Sequence, residues 1–349
     1  MAIYAFILAG GSGERLWPLS TASRPKPLLA LPDGKSLLAH TISRLVDSLL
    51  PPEQCFVMAP ANLREAFCRN MAPLHEAQFL PESCARNTAA AAAWACGLIR
   101  ARDPEGVIAL LPADHVIQDV PRFRQRLADA AHVAASCPVI AALGIPQTAP
   151  NSAFGHLICG APFAAPGMIE TPFRTVRRFI EKPDAALSAR CLKTGACLWN
   201  AGIYVAQARV LEAAFRVLAP AWLPLIENPR QAETLYPALP VCAVDHAIME
   251  QADNLIAAPA DFGWRDVGLL TQFAACFPHD SQGNGGNVPL VALRSEHCEV
   301  LGDAAPERTT LLVGVKDLVV VQTATMTMIC SREEADRLRD WRGELPNAL

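Results

Sequence analysis

A chain of 349 residues, 52% of them hydrophobic and 18% charged, is long enough for a large core or two domains and too apolar to be intrinsically disordered. Its formal net charge of -4 offers no basic footprint for nucleic acid, and no apolar run reaches bilayer length, so neither a nucleic acid nor a membrane is an expected partner. Twelve cysteines are scattered without a Cys-x-x-Cys pair, which reads as reduced thiols in a cytoplasmic protein rather than a zinc site or disulfide framework.

The chain enters the short apolar run Ile3 to Leu8 without a basic leader, so no signal peptide is expected. That run, Cys55 to Met58, Val107 to Leu111 and Val139 to Leu143 have the length and content of buried strands. Between them Ser36 to Leu50 spaces its leucines as a helix does, Thr88 to Arg102 is Ala-rich, and Pro121 to Ser136 opens with proline at a tolerated first-turn position. Strands alternating with helices predict an α/β fold with a doubly wound, mainly parallel sheet. Further on, Val176 to Ile180 and Ala201 to Val205 read as strands and Gln207 to Leu218 as a helix. The stretch from Ser281 to Asn287, rich in glycine and asparagine, reads as a linker. It divides a catalytic domain over 1–280 from a small β-rich domain over 281–349, which ends in a helix capped by Ser331.

The stretch Leu8-Ala-Gly10-Gly11-Ser12-Gly13-Glu14-Arg15-Leu16-Trp17-Pro18 leaves the first strand directly into glycines. Glycines there let backbone N–H groups approach a polyphosphate, and Arg15 adds a bidentate phosphate donor. A dinucleotide fingerprint is excluded because Leu16 holds the position of its third glycine. A Walker A loop is excluded because Leu29 holds the position of its first. With Arg24-Pro-Lys26-Pro-Leu-Leu29 following, the segment resembles the signature of the sugar-1-phosphate nucleotidylyltransferases, and Leu16-Trp17-Pro18 is similar to its guanylyl branch.

Other segments carry the same resemblance in the same order. Pro81-Glu82-Ser-Cys-Ala-Arg86-Asn87-Thr88 is similar to a segment near the base and ribose; a carboxylate such as Glu82 can accept from the donor edge of guanine. An N-cap role for Asn87 or Thr88 is the bland alternative. Leu111-Pro-Ala-Asp114-His115 resembles a metal-binding segment, and Phe262-Gly-Trp264-Arg265-Asp266 one that supplies the second carboxylate. Phe179-Ile-Glu181-Lys182-Pro183 resembles the sugar-phosphate motif, and Trp199-Asn200-Ala201-Gly202 a sugar-contacting one. Departures occur at Ala85, Ala201, Arg265 and Gln322, and at Ala153-Phe154-Gly155-His156, where the family often has Gly-Tyr-Gly-Tyr.

The resemblance implies a Rossmann-like nucleotidylyltransferase domain followed by a short left-handed β-helix, with no isomerase domain after it. It implies transfer of GMP from GTP to mannose 1-phosphate with magnesium as cofactor. Arg15, Lys26 and Lys182 are the implied catalytic residues, and Asp114 and Asp266 the metal ligands. Leu8, Gly10, Gly11, Ser12, Gly13, Glu82, Asn87 and Thr88 are implied to hold the nucleotide, and Gly155, Glu181 and Asn200 the sugar. The rivals are a different base or sugar 1-phosphate and a non-catalytic regulatory subunit that binds sugar nucleotide; a homodimer is left open.

Overall fold

The computed structural model describes residues 2–11, 13–167, 169–303 and 309–341. In chain order the strands are β1 (Ile3–Leu8), β2 (Cys55–Pro60), β3 (Phe79–Glu82), β4 (Val107–Pro112), β5 (His115–Ile117), β6 (Ile140–Pro146), β7 (His156–Pro162), β8 (Arg174–Ile180), β9 (Cys197–Gln207), β10 (Leu255–Pro259), β11 (Trp264–Asp266), β12 (Gly285–Gly286), β13 (Leu290–Leu293), β14 (Glu299–Gly302), β15 (Thr310–Val313), β16 (Leu318–Gln322) and β17 (Thr327–Ser331). By packing, the chain falls into two compact units. The first holds the chain through Gly10, Thr41–Ala113 and Ile117–Trp264; the second holds Gly11–His40, Asp114–Val116 and the chain from Arg265 on.

The first unit is built on a nine-stranded sheet in the order β3-β2-β1-β4-β9-β6-β10-β8-β7. Strands β1, β4 and β6 are apolar along almost their whole length and almost wholly buried, as strands covered on both faces must be. Seven of the nine strands run one way; β8 and β9 run against them, and β9 lies between β4 and β6. The sheet is therefore mixed, with the parallel block β3-β2-β1-β4 at one side. Hydrophobic content predicts that a strand is buried but not which way it runs. The helix Asn87–Arg102 is apolar all round and sunk in the core, its alanines 89–93 leaving room for close approach to the sheet. The expected helix over Ser36 to Leu50 is shorter, Leu37–Leu45, because the chain turns at Asp47 with φ 62°. No described helix is long and apolar enough to cross a membrane, and all twelve cysteines are unbridged.

The second unit carries parallel strands in the order β12-β14-β16, with β17 antiparallel at the edge, and a separate parallel pair β13-β15. This stacking of short parallel strands is a β-helix-like arrangement. Leu16, Trp17, Leu19 and Leu29 of the glycine-loop segment bury themselves in one cluster with Leu301, Val319, Val321 and Leu338. Ser331 caps the helix Arg332–Asp336 through Glu334 N–H, as expected.

The glycine- and asparagine-rich stretch is not slack linker. Asn284 is 3% exposed; its amide donates to Ser295 O at 2.9 Å and to Asp280, and its carbonyl accepts from Cys298 N–H at 3.1 Å. Truncation leaves Cys298 N–H and Ser295 O buried without partners, at about 1–3 kcal/mol per group. Asn284→Ala should therefore lower unfolding free energy by roughly 2–4 kcal/mol in urea titrations; a loss under about 0.5 kcal/mol, typical of a surface site, would refute this.

Candidate functional site

Three residues far apart in sequence converge within the second unit. Lys26 Nζ lies 2.6 Å from an Asp114 carboxylate oxygen and 3.4 Å from Asp266 Oδ1. The lysine side chain is 9% exposed, the two carboxylates 29% and 24%. Lys26 follows the glycine loop, Asp114 lies two residues beyond the carboxyl end of β4, and Asp266 ends β11, which pairs with β5. Burial disfavours the Lys26 ammonium, but the two aspartates outweigh it and hold its pKa above the usual lysine value. Burial likewise opposes ionisation of Asp114, yet Lys26 and His115 hold its pKa below the usual carboxylate value. Both shifts favour the charged forms of Lys26 and Asp114.

The glycine loop is shaped around this lysine. Gly13 has φ +65°, and a Cβ there would lie 2.9 Å from Lys26 Cβ and 3.1 Å from its backbone nitrogen, so only glycine suits the turn. Gly11 is exposed with nothing within 4 Å of a Cβ. Arg15 is exposed in the short 3-10 turn Glu14–Leu16. Ser12 lies outside the described residues.

In the first unit, Leu8 ends β1 and Gly10 follows it, while Glu82 ends β3 in the same parallel block. These are carboxyl ends of parallel strands, where open α/β sheets bind ligands. A Cβ on Gly10 would lie 2.5 Å from Glu82 Oε2. The other Glu82 oxygen accepts from the hydroxyl of buried Tyr236 at 2.5 Å. Burial raises the Glu82 pKa, and the tyrosine hydrogen bond works the other way. Asn87 opens its helix with φ +60°, its side-chain oxygen accepting from Thr88 N–H at 2.8 Å; Thr88 Oγ1 accepts from Val244 N–H at 2.9 Å. The N-cap position belongs to Arg86, without a side-chain cap, so neither Asn87 nor Thr88 plays that part.

A second polar group in the first unit gathers Gly155, Glu181, Lys182 and Asn200. Glu181 Oε2 lies 2.6 Å from where a Gly155 Cβ would sit, and Lys182 Nζ lies 3.2 Å from Glu181 Oε1. Lys182 is 63% exposed at its side chain, with its backbone in the left-handed region at φ +47°. Burial raises the Glu181 pKa, Asp245 raises it further, and Lys182 opposes both. Asn200 Nδ2 donates to Asp245 Oδ1 at 2.9 Å and to Tyr204 Oη at 2.6 Å, and its Oδ1 accepts from Gly202 N–H at 2.9 Å. Phe154, in the departing segment, packs its ring on Trp199 and Trp264 at 5.4 and 5.3 Å between centroids.

The structure thus gathers the candidates into three sets: Lys26 with Asp114 and Asp266, Gly10 with Glu82, and Gly155 with Glu181, Lys182 and Asn200. Sequence reasoning missed Tyr204, Tyr236 and Asp245. One signal was available, since the chain has only three tyrosines and two of them end at these carboxylates.

The model of the nucleotidyl transferase family matches residues 4–283, and that of a MannoseP isomerase/GMP-like β-helix domain matches residues 289–345. The alginate biosynthesis protein AlgA of Pseudomonas aeruginosa is 30% identical over 96% of this chain and 69% of its own length. The mannose-1-phosphate guanylyltransferase of Escherichia coli K12 is 30% identical over 95% of this chain and 70% of its own. A crystal structure from Thermus thermophilus, named as a mannose-1-phosphate geranyltransferase, is 28% identical with a TM-score of 0.87, each chain covering 99% of the other.

The cluster makes a pH-dependent prediction about stability. Asp114, with a depressed pKa, stabilises fully above the ordinary carboxylate range and loses that contribution as pH falls through its folded value. Lys26, with a raised pKa, stabilises fully below the ordinary lysine range and loses it as pH rises through its folded value. The contribution is therefore level between about pH 5 and 9. Lys26→Met should destabilise the protein across that window, by less than the ~3–5 kcal/mol of a fully buried broken pair because the carboxylates keep some water. The deficit should shrink as pH falls below the ordinary carboxylate range and Asp114 protonates. Urea midpoints measured in EDTA from pH 3 to 9 check it; a deficit that stays constant into acid would contradict the ionic account.

Proposed function

Because the chain belongs to the nucleotidyl transferase family, we propose that it transfers GMP from GTP to mannose 1-phosphate, releasing pyrophosphate. The observation that carries this reading is the buried Lys26 held against Asp114 and Asp266. The choice of substrates leans on the relative named mannose-1-phosphate guanylyltransferase.

Whether the residues present fit a metal is a question of donors. Among the described residues no group of three or more His, Cys, Asp or Glu side chains could hold an ion by itself. Magnesium does not need one, since it is commonly held by one or two carboxylates together with water and substrate phosphates. Asp114 and Asp266, fixed on a common ammonium, fit that donor set and are the residues that would hold it. When bound, the ion supplies neutralisation of phosphate charge.

The remaining work falls to the chain's own groups. Arg15 and Lys26 neutralise the triphosphate, and Leu8, Gly10, Gly11, Ser12 and Gly13 are assigned to the nucleotide. Glu82 accepts from the donor edge of guanine, with Asn87 and Thr88 alongside. Glu181 and Asn200 bond sugar hydroxyls beside Gly155, and Lys182 aims the sugar phosphate. A phosphate oxygen of mannose 1-phosphate attacks the α-phosphorus of GTP, and the bond to pyrophosphate breaks. No covalent enzyme intermediate is needed, so positioning and charge neutralisation provide the rate.

The test is pyrophosphate release from four nucleoside triphosphates against several sugar 1-phosphates. GTP with mannose 1-phosphate should be turned over best; equal turnover of dTTP or UTP would overturn the specificity while leaving the reaction class. Asp114→Asn and Asp266→Asn should each lower kcat about a hundredfold or more. As ligands of one ion they should act as a unit, so the double variant should be little worse than the more impaired single one. Losses that multiply, or full activity in excess EDTA, would show that they share no metal.

A further inference from the structure

The stretch Tyr236–Glu250 carries no role in the functional reading, yet it hydrogen-bonds Glu82, Thr88, Glu181 and Asn200 of the first unit's candidates. Its first part lies along the Glu82–Ala89 segment. The Tyr236 hydroxyl donates to Glu82 Oε1, Pro237 O accepts from the Arg86 guanidinium, and Cys242 O accepts from Ala89 N–H at 3.1 Å. Tyr236 is 1% exposed and wedged edge-on against Trp94, so its hydroxyl is fixed before any ligand arrives.

The second part of the stretch turns to the sugar-side residues. Asp245–Met249 is a π-helix, with Glu250 N–H donating to Asp245 O at 2.9 Å. In such a turn an i→i+5 hydrogen bond replaces the i→i+4 bond of an α-helix. Asp245 reaches Asn200, and Glu250 reaches Glu181. Glu250 Oε1 accepts from Glu181 N–H at 2.9 Å, and its Oε2 is held by His246 Nδ1 at 2.8 Å. The Glu181 N–H is one residue before Lys182, whose left-handed backbone is costly for a lysine and persists only where its surroundings fix it.

We infer that Tyr236 and Glu250 are positioning residues for different substrates. Tyr236 sets the Glu82 carboxylate that reads the base, and Glu250 pins the turn that aims Lys182 at the sugar phosphate. This rests on the assignment of Glu82 to the nucleotide and Lys182 to the sugar phosphate. Each acts on the KM of one substrate through the residue it holds.

The test is steady-state kinetics with each substrate varied in turn. Tyr236→Phe should raise KM for GTP about tenfold, the loss of one hydrogen bond to a charged group, and leave KM for mannose 1-phosphate within about twofold. Glu250→Ala should do the opposite, while Glu250→Gln, which keeps a carbonyl acceptor for Glu181 N–H, should recover most of the loss. Calorimetric binding of each substrate to the same variants gives a second readout, and melting curves establish folding. Equal losses for both substrates, crossed losses, no losses, or a Gln variant as impaired as the Ala variant would overturn the inference. The wild type is assayed first. If it rejects GTP and mannose 1-phosphate, the functional reading fails by itself, and the split is then measured with the nucleoside triphosphate and sugar 1-phosphate it does accept.

Discussion

Lys26 stands between Asp114 and Asp266, 2.6 and 3.4 Å from them, and this arrangement constrains how the surrounding segments must fold. Two carboxylates drawn toward one point repel each other. The ammonium offsets that repulsion, and the carboxylates in turn make burial of a lysine tolerable. Holding the lysine there requires its backbone to pass close to Gly13, where a side chain would collide. It also requires Leu16, Trp17, Leu19 and Leu29 to anchor the segment in apolar surroundings. The electrostatic centre is thus fixed by a hydrophobic one.

The same rule governs the two polar groups of the first unit. Buried or half-buried Glu82 has the Tyr236 hydroxyl, and Asp245 has the Asn200 amide and the Tyr204 hydroxyl. Each carboxylate receives donors fixed by packing, as a low-dielectric site demands. Left-handed backbone also occurs here, at Asn87 and Lys182, both non-glycine residues in the candidate segments. Such conformations cost roughly 1–3 kcal/mol each, so their presence beside the charged groups implies that the surrounding hydrogen bonds outweigh that cost.

Part of this was legible in the chain and part was not. The strands β1, β2, β4 and β6 show as short apolar runs, and the glycine loop shows because it departs from one of them. Asp114 is visible because it follows another such run directly. The directions of β8 and β9 are invisible, since burial depends on side-chain content and direction on connections. Tyr236, Asp245 and Glu250 form no local motif; they matter because hydrogen bonds join them to Glu82, Asn200 and Glu181, more than 40 residues away in each case. The Ser281 to Asn287 stretch shows a related limit. Glycine and asparagine mark slack chain by composition, but here Asn284 spends its amide inside the β unit and Gly286 sits where a Cβ would meet Val300 O at 1.9 Å.

Charge accounting ties the proposed chemistry to the central cluster. The whole chain is negative at -4, so long-range attraction does not deliver a polyphosphate and local groups must do so. Lys26 with Asp114 and Asp266 carries one positive and two negative charges, a set that by itself repels a triphosphate. Carboxylates are therefore a poor choice of side chain at a phosphate site unless they serve a cation. A divalent ion on the two aspartates would turn the set's net charge from negative to positive. On the proposed reading this explains why the carboxylates stand next to the lysine. Lysine alone offers a point charge, whereas the carboxylates would add a divalent one. The pairing with Lys26 holds the Asp114 pKa below the usual carboxylate value, which favours the ionised form that an ion would need.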